Sequence, residues 1–159
     1  MKQTTLCYLE QDGKYLMLHR TKKQNDINHD KWIGVGGKFE AGETPEQCML
    51  REVWEETGFT VTNWKYRGIV VFYLDEQYGE EMHLFTCMEW SGKQKVCDEG
   101  DLAWIDKRKL AELPMWEGDA IFLKLVNNIN EPFFNLTLNY HGEKLISAEK
   151  DGNPITLNR

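Results

Sequence analysis

The sequence predicts an α/β fold in which a β-sheet is sandwiched between helices. Three observations carry this expectation. Alternating apolar and polar residues near both ends of the chain read as strands, residues 45–57 carry helical punctuation at both ends, and a second helical stretch at 117–129 follows the strands of the middle. A chain of 159 residues has the length of one ordinary domain with a single core, so one domain is expected over 1–159.

The elements follow in order. Residues 3–10 and 14–20 alternate as a strand pair turning at Asp12-Gly13. A short strand is expected at 31–36, with Gly34, Gly36 and Gly37 in a run where bare backbone can approach a ligand closely. The helix at 45–57 has Thr44 as N-cap, Pro45 at the first helical position, Gln47 three residues after the cap and Gly58 to close it. Its apolar stripe is Met49, Leu50, Val53, Trp54 and Thr57, while Cys48, Glu52, Glu55 and Glu56 lie on another side. Strands are expected near 64–74, 82–90 and 101–106, a helical turn at 107–112, the second helix at 117–129, and a hairpin over 132–149 around His141-Gly142-Glu143. There is no linker, internal repeat or low-complexity tract.

Composition narrows the function. An apolar share of 41% with six tryptophans indicates a globular chain, and no apolar run approaches the length needed to cross a membrane. The first residues lack the apolar core of a signal peptide, so the expected location is the cytoplasm. Cys7, Cys48, Cys87 and Cys97 have no metal-ligand spacing and are expected as reduced thiols in the core. The four histidines, His19, His29, His83 and His141, are scattered and expected in surface or structural roles. A net charge of −7 argues against a nucleic-acid polymer as partner, since phosphate backbones demand a basic footprint. A single nucleotide is different, because metal ions and a few local cations neutralise its phosphates.

The chemistry is concentrated in residues 37–59, GKFEAGETPEQCMLREVWEETGF, where Gly37, Glu43, Arg51, Glu52, Val53, Glu55, Glu56, Gly58 and Phe59 stand at fixed spacings. On a helix Glu52, Glu55 and Glu56 share a face, at i, i+3 and i+4, and repel one another unless a cation joins them. An all-oxygen set suits Mg²⁺ or Mn²⁺ rather than Zn²⁺, and a backbone carbonyl of Gly36 or Gly37 would be a further ligand. Arg51, one turn before Glu55, can fork onto a carboxylate and hold its rotamer. Lys38, beside the glycine run, can contact phosphate oxygens. The competing reading is a merely solvated acidic face, the usual fate of a charge run. Nine fixed positions around a capped helix weigh against it.

This pattern, G-x5-E-x7-R-E-V-x-E-E-x-G-F, resembles the signature of the Nudix hydrolases at every defined position. The resemblance implies an α/β/α sandwich with a mixed sheet, Mg²⁺ dependence and hydrolysis of a nucleoside diphosphate linked to a group X. Arg20, the Asp98-Glu99 pair and Pro114 to Asp119 extend it toward the MutT-type branch, which includes the 8-oxo-dGTP diphosphatases. It then implies that Arg20 binds phosphate and that Glu99 completes the metal site or helps activate water, with Asp98 or Asp101 as alternatives. It also implies that Trp116 stacks on the base and that Asp119 reads the base edge. A plain helix-start carboxylate is the other reading of Asp119. Two departures stand out: Gly118 where some relatives carry a second acidic residue, and Ile33 where some carry asparagine. Lys22-Lys23 reads as a solvated basic pair in a loop.

The expected function is therefore Mg²⁺-dependent hydrolysis of nucleoside triphosphates, with 8-oxo-dGTP as substrate and the monophosphate and pyrophosphate as products. Turnover is expected to rest on Glu43, Arg51, Glu52, Glu55 and Glu99, with Glu52, Glu55 and Glu99 all open as the proton acceptor. The alternatives are another nucleoside diphosphate-X substrate, or a nucleotide-binding regulator without turnover.

Overall fold

The computed structural model describes residues 2–22, 26 and 28–157. Strands β1 (Gln3–Gln11) and β2 (Lys14–Arg20) meet at Asp12-Gly13, whose φ angles of 52° and 74° are those of a tight two-residue hairpin turn. The two strands pair only beside that turn, at Glu10 with Tyr15 and Gln11 with Lys14. Beyond it they part. The segment after β3 (Trp32–Ile33) fills the opening, with Cys7 bridged to Val35 and Thr4 to Lys38.

The strand expected at 31–36 is thus only two residues long. β3 pairs with β2, and the chain then crosses to the edge of β1. Gly36 permits the crossing, because a Cβ there would lie 1.8 Å from the Thr5 carbonyl oxygen.

Helix α1 (Pro45–Thr57) follows and obeys its punctuation to the residue. The Thr44 side chain accepts the Gln47 N–H, the Gln47 side chain accepts the Thr44 N–H, and Gly58 closes the helix at φ 82°. β4 (Thr60–Leu74), β5 (Gln77–Ser91) and β6 (Gly100–Asp106) come next, then a 3₁₀ turn (Lys107–Glu112) and α2 (Glu117–Asn127). β7 (Phe134–His141) and β8 (Lys144–Lys150) form the expected C-terminal hairpin, and a short β9 (Asn153–Ile155), absent from the expectation, adds to its edge.

Among the described residues these strands form one nine-stranded sheet in the order β3-β2-β1-β5-β4-β7-β8-β9, with β6 on the other edge of β2. β1 with β5 and β4 with β7 run parallel while the remaining neighbours run antiparallel, so the sheet is mixed. The two-residue strand period divides the core between its faces. Tyr8, Tyr15, Met17 and Leu84 turn to one side, against Phe122, Leu123 and Val126 of α2. Cys7, Leu9, Leu16 and Phe85 turn to the other, against Met49 and Val53 of α1. The result is the α/β/α sandwich.

Two local expectations change. Trp54 is 55% exposed, with the Lys95 ammonium 5.2 Å from its ring, while Cys48 and Glu56 turn inward beside Met49, Val53 and Thr57. The glycine run leaves room against the row 48, 52 and 56, and α1 packs that row as well as its apolar stripe. Lys22 is not simply solvated, since its ammonium donates to the Cys97 carbonyl at 2.6 Å; Lys23 lies outside the described residues. Arg67, buried in β4, donates to the carbonyls of Val126 (2.9 Å) and Asn128 (2.7 Å) and so ties down the C-terminal end of α2. The four cysteines are free and buried, as expected of reduced core thiols. Among the described residues no helix is long and apolar enough to cross a membrane.

Candidate functional site

A cavity of about 590 Å³ opens on the α2 side of the sheet. Its charged part is lined by Arg20, Gly36, Gly37, Lys38, Glu52 and Glu99, and its apolar part by Leu6, Phe72, Leu74, Met82 and Leu138 of the sheet. Trp116 and Asp119 from the start of α2 complete the wall. Most of the expected site residues therefore meet around one space, although they come from segments scattered from Arg20 to Asp119. No histidine lines it among the described residues; His83, for example, is buried against the Tyr66 hydroxyl.

The carboxylates are arranged from α1 outward. Glu56 is 6% exposed and accepts the Gly36 N–H at 3.3 Å. Burial, and then the nearby Glu99 and Glu52, push its pKa up to about 9. Glu52 lies against Gly37 so closely that a Cβ at 37 would sit 2.5 Å from its carboxyl group. Burial raises its pKa too, against the pull of Arg51. Glu55 is exposed on the outer side of the helix.

Two arginines hold this set. Arg51 donates from Nε (2.7 Å) and Nη2 (2.9 Å) to the two oxygens of Glu43, a bidentate pair that draws the Glu43 pKa down to about 2. Its Nη1 reaches Glu52 at 2.7 Å and Glu55 at 3.1 Å, and Nη2 also donates to the Lys38 carbonyl at 2.9 Å. One guanidinium thus joins the loop after the glycine run to two helix carboxylates. Arg20 does the same for the distant glutamate: Nε binds Asp26 at 2.7 Å and Nη1 binds Glu99 at 2.9 Å. Arg20 lines the cavity, but its guanidinium is engaged by carboxylates. That places it as a holder of Glu99, beside the phosphate-binding role implied by resemblance.

Among the described residues no three His, Cys, Asp or Glu side chains stand together as a ready-made metal site. The donor set nonetheless fits a hard divalent cation. Glu56 keeps its proton because it is buried beside two like-charged groups, and a dication at that point would remove the reason for the proton. The Gly37 carbonyl is committed to the Thr5 N–H at 2.9 Å, whereas that of Gly36 receives no hydrogen bond among the described residues. Gly36 is therefore the better placed of the two expected carbonyl ligands.

At the apolar part, the Trp116 indole N–H donates to Asn28 Oδ1 at 2.8 Å, the Lys31 ammonium stands 4.8 Å from its ring, and Tyr140 meets it edge-on at 5.2 Å. Asp119 is 8% exposed, and burial pushes its pKa up to about 8. Gly118 now has a packing reason. A Cβ there would lie 2.5 Å from Leu138 and 2.6 Å from the Tyr140 hydroxyl, which accepts the Gly118 N–H. If Trp116 stacks on a base, Trp116→Ala is expected to raise KM for nucleotides about tenfold with a smaller fall in kcat. Steady-state kinetics with a parallel melting curve test this: lost thermal stability with unchanged KM would show the ring to be only a wall.

Thr4, Asn28, Phe72, Glu80 and Tyr140 also line the cavity, and the sequence reading found none of them. They come from separate elements joined only by sheet pairing and by the turn before β3, so no spacing along the chain marks them.

Comparison with known proteins agrees with this arrangement. The family model of the NUDIX domain matches residues 2–126. The oxidized purine nucleoside triphosphate hydrolase of Danio rerio is 32% identical over 126 residues, covering 79% of each chain. An uncharacterized Nudix hydrolase of Bacillus subtilis is 30% identical over 128 residues, covering 77% of each. The crystal structure of a mutator MutT protein from Bacillus halodurans superposes with a TM-score of 0.83 at 30% identity, over 97% of this chain and 100% of that one.

Proposed function

This chain belongs to the Nudix family and hydrolyses phosphoanhydride bonds, and from that premise we propose that it cuts nucleoside triphosphates to the monophosphate and pyrophosphate with Mg²⁺ or Mn²⁺, oxidised purines such as 8-oxo-dGTP foremost. Residues 1–159 act as one domain on the nucleotide pool of the cytoplasm, removing damaged precursors of DNA. The observation that carries the reading is the cavity in which the half-buried Glu52 and Glu99 and Arg20 share space with Trp116 and Asp119. The named activity of the Danio rerio relative points the same way.

In this reading Glu52, Glu55, Glu56, Glu99 and the Gly36 carbonyl hold the cation. When bound, Mg²⁺ supplies neutralisation of the phosphates and acidifies the attacking water. Arg51 keeps Glu52 and Glu55 in place, Glu43 keeps Arg51 in place, and Arg20 orients Glu99. Lys38 meets phosphate oxygens at the rim, and a carboxylate of the same cluster takes the water's proton. Trp116 stacks on the base while Asp119 faces its edge.

Hydrolysis of a panel of ordinary and oxidised nucleotides, with products identified, tests this. We expect kcat/KM for 8-oxo-dGTP to exceed that for dGTP by about ten- to a hundredfold, because the oxidised base gains an N7–H that Asp119 can accept and one hydrogen bond to a charged acceptor is worth about 1.5–3 kcal/mol. Ionised Asp119 is the stronger acceptor, and its pKa stands near 8, so the preference should grow as pH rises toward that value. Asp119→Asn should narrow the ratio without ending turnover of either nucleotide. Equal kcat/KM for the two, or products other than a monophosphate and pyrophosphate, would move the substrate elsewhere within the family.

A further inference from the structure

We propose that Asn28 sets the base specificity of the cavity: its side-chain NH₂ faces the purine 6-position, on the same edge as the N7 that Asp119 meets, so purines with a 6-carbonyl are accepted and purines with a 6-amine are rejected. The proposal rests on the nucleotide reading above.

The orientation of the amide follows from its partner. An indole nitrogen can only donate, so the Asn28 atom that lies 2.8 Å from Trp116 Nε1 has to be the carbonyl oxygen. Trp116 thereby dictates where the NH₂ group goes, and that group has no hydrogen-bond partner among the described residues. The backbone of Asn28 is pinned as well. Its N–H donates to Asp26 Oδ1 at 3.2 Å, its carbonyl accepts the Lys31 N–H at 2.9 Å, and Asp26 is held by Arg20 at 2.7 Å.

Asp119 is the second point of contact. Asp119 lines the same cavity and is as a residue more than nine-tenths buried, and its carboxyl group has no hydrogen-bond partner among the described residues. Its backbone N–H donates to the Trp116 carbonyl at 3.0 Å, so one tryptophan places both polar groups. Ile33, on the same lining, contributes only hydrocarbon.

The two groups differ in what they can discriminate. A carboxyl group accepts in either protonation state and also donates when protonated, and Asp119 is buried enough for both forms to be accessible near neutral pH. It therefore adapts to a keto or an amino edge. The Asn28 NH₂ cannot adapt, because turning it over would set two donors, the indole N–H and its own, against each other. A base carbonyl pairs with it, whereas a base amine leaves two buried donors facing one another.

The test uses dIMP and dAMP, which differ at this edge by carbonyl against amine. By calorimetric titration the wild-type protein is expected to bind dIMP at least about tenfold more tightly than dAMP, and to hydrolyse dITP in preference to dATP by a similar factor. Asn28→Asp keeps an acceptor for the Trp116 N–H but replaces NH₂ by oxygen, and should reverse the order. Asn28→Leu, checked for folding by its melting curve, should bring the ratio close to one. Equal binding of dIMP and dAMP by the wild type, or an unchanged ratio in Asn28→Asp, overturns the proposal while hydrolysis of triphosphates still supports the nucleotide reading. Absence of any triphosphate hydrolysis overturns that reading, and this proposal with it.

Discussion

Glu56→Gln is expected to lower kcat by at least about 10²-fold in Mg²⁺ while the protein still folds. Glu56 is buried at the meeting point of Glu52, Glu99 and the Gly36 amide, so the substitution removes the proposed cation ligand with little change in volume. Stability gives an independent readout. Without metal, folded Glu56 holds its proton up to about pH 9, whereas an unfolded glutamate loses it near 4.5. Between those values the folded state binds more protons, so stability of the metal-free wild type falls as pH rises through the window. The Glu56→Gln variant lacks that loss and should melt higher than metal-free wild type at pH 8, with the difference shrinking toward pH 5. Added Mg²⁺ should raise the wild-type Tm more at pH 8 than at pH 6, and should do less for the variant. Near-normal turnover of the variant in Mg²⁺ would remove Glu56 from the site.

The second large effect is expected at Arg51, where Arg51→Lys should lower kcat by about 10–100-fold and raise the Mg²⁺ concentration needed for half-maximal activity. The charge is kept, so the loss isolates geometry. A single ammonium cannot span Glu43, Glu52, Glu55 and the Lys38 carbonyl, which the guanidinium reaches at 2.7 Å, 2.7 Å, 3.1 Å and 2.9 Å. Glu43→Gln, which weakens only the bidentate partner, should show a smaller effect in the same direction. Unchanged Mg²⁺ dependence in Arg51→Lys, with a lowered Tm, would mean that Arg51 only knots the loop to the helix.

The parts legible in the sequence are those with local causes. The ends of α1 are set by Thr44, Gln47 and Gly58 acting within a few residues, and the first hairpin by Asp12 and Gly13 taking positive φ. The placing of Glu52, Glu55 and Glu56 within about one helical turn follows from helical geometry alone, as does the reach of Arg51 to Glu55, whereas the inward turn of Glu56 and the exposure of Glu55 do not. The side of α1 that would be buried was less legible. Trp54 belongs to the apolar stripe by spacing, yet the glycine run packs against the row of Cys48, Glu52 and Glu56 and leaves Trp54 outside.

Arg20 has a role that resemblance does not supply. Its place after a strand implies a phosphate contact, and the structure adds ion pairs from Nε to Asp26 and from Nη1 to Glu99, 6 and 79 residues away. No local rule foretells a pair at a separation of 79 residues; it arises because β6 pairs with β2 and brings residue 100 opposite residue 20.

The sequence alone determined the family, the placing of Glu52, Glu55 and Glu56 on one helix and the order of the elements up to β8, because each depends on residue types at short, fixed spacings: a cap, a turn, a helical repeat. The tertiary structure decided which groups share the cavity. β1 parting from β2 lets the glycine run in beside Glu52 and Glu56, and α2 sets Trp116 and Asp119 against Asn28 and Tyr140. Those contacts join residues up to 88 positions apart. Their cause is the burial of apolar area on both faces of one sheet, which rewards non-local pairing and leaves no periodic trace in the chain.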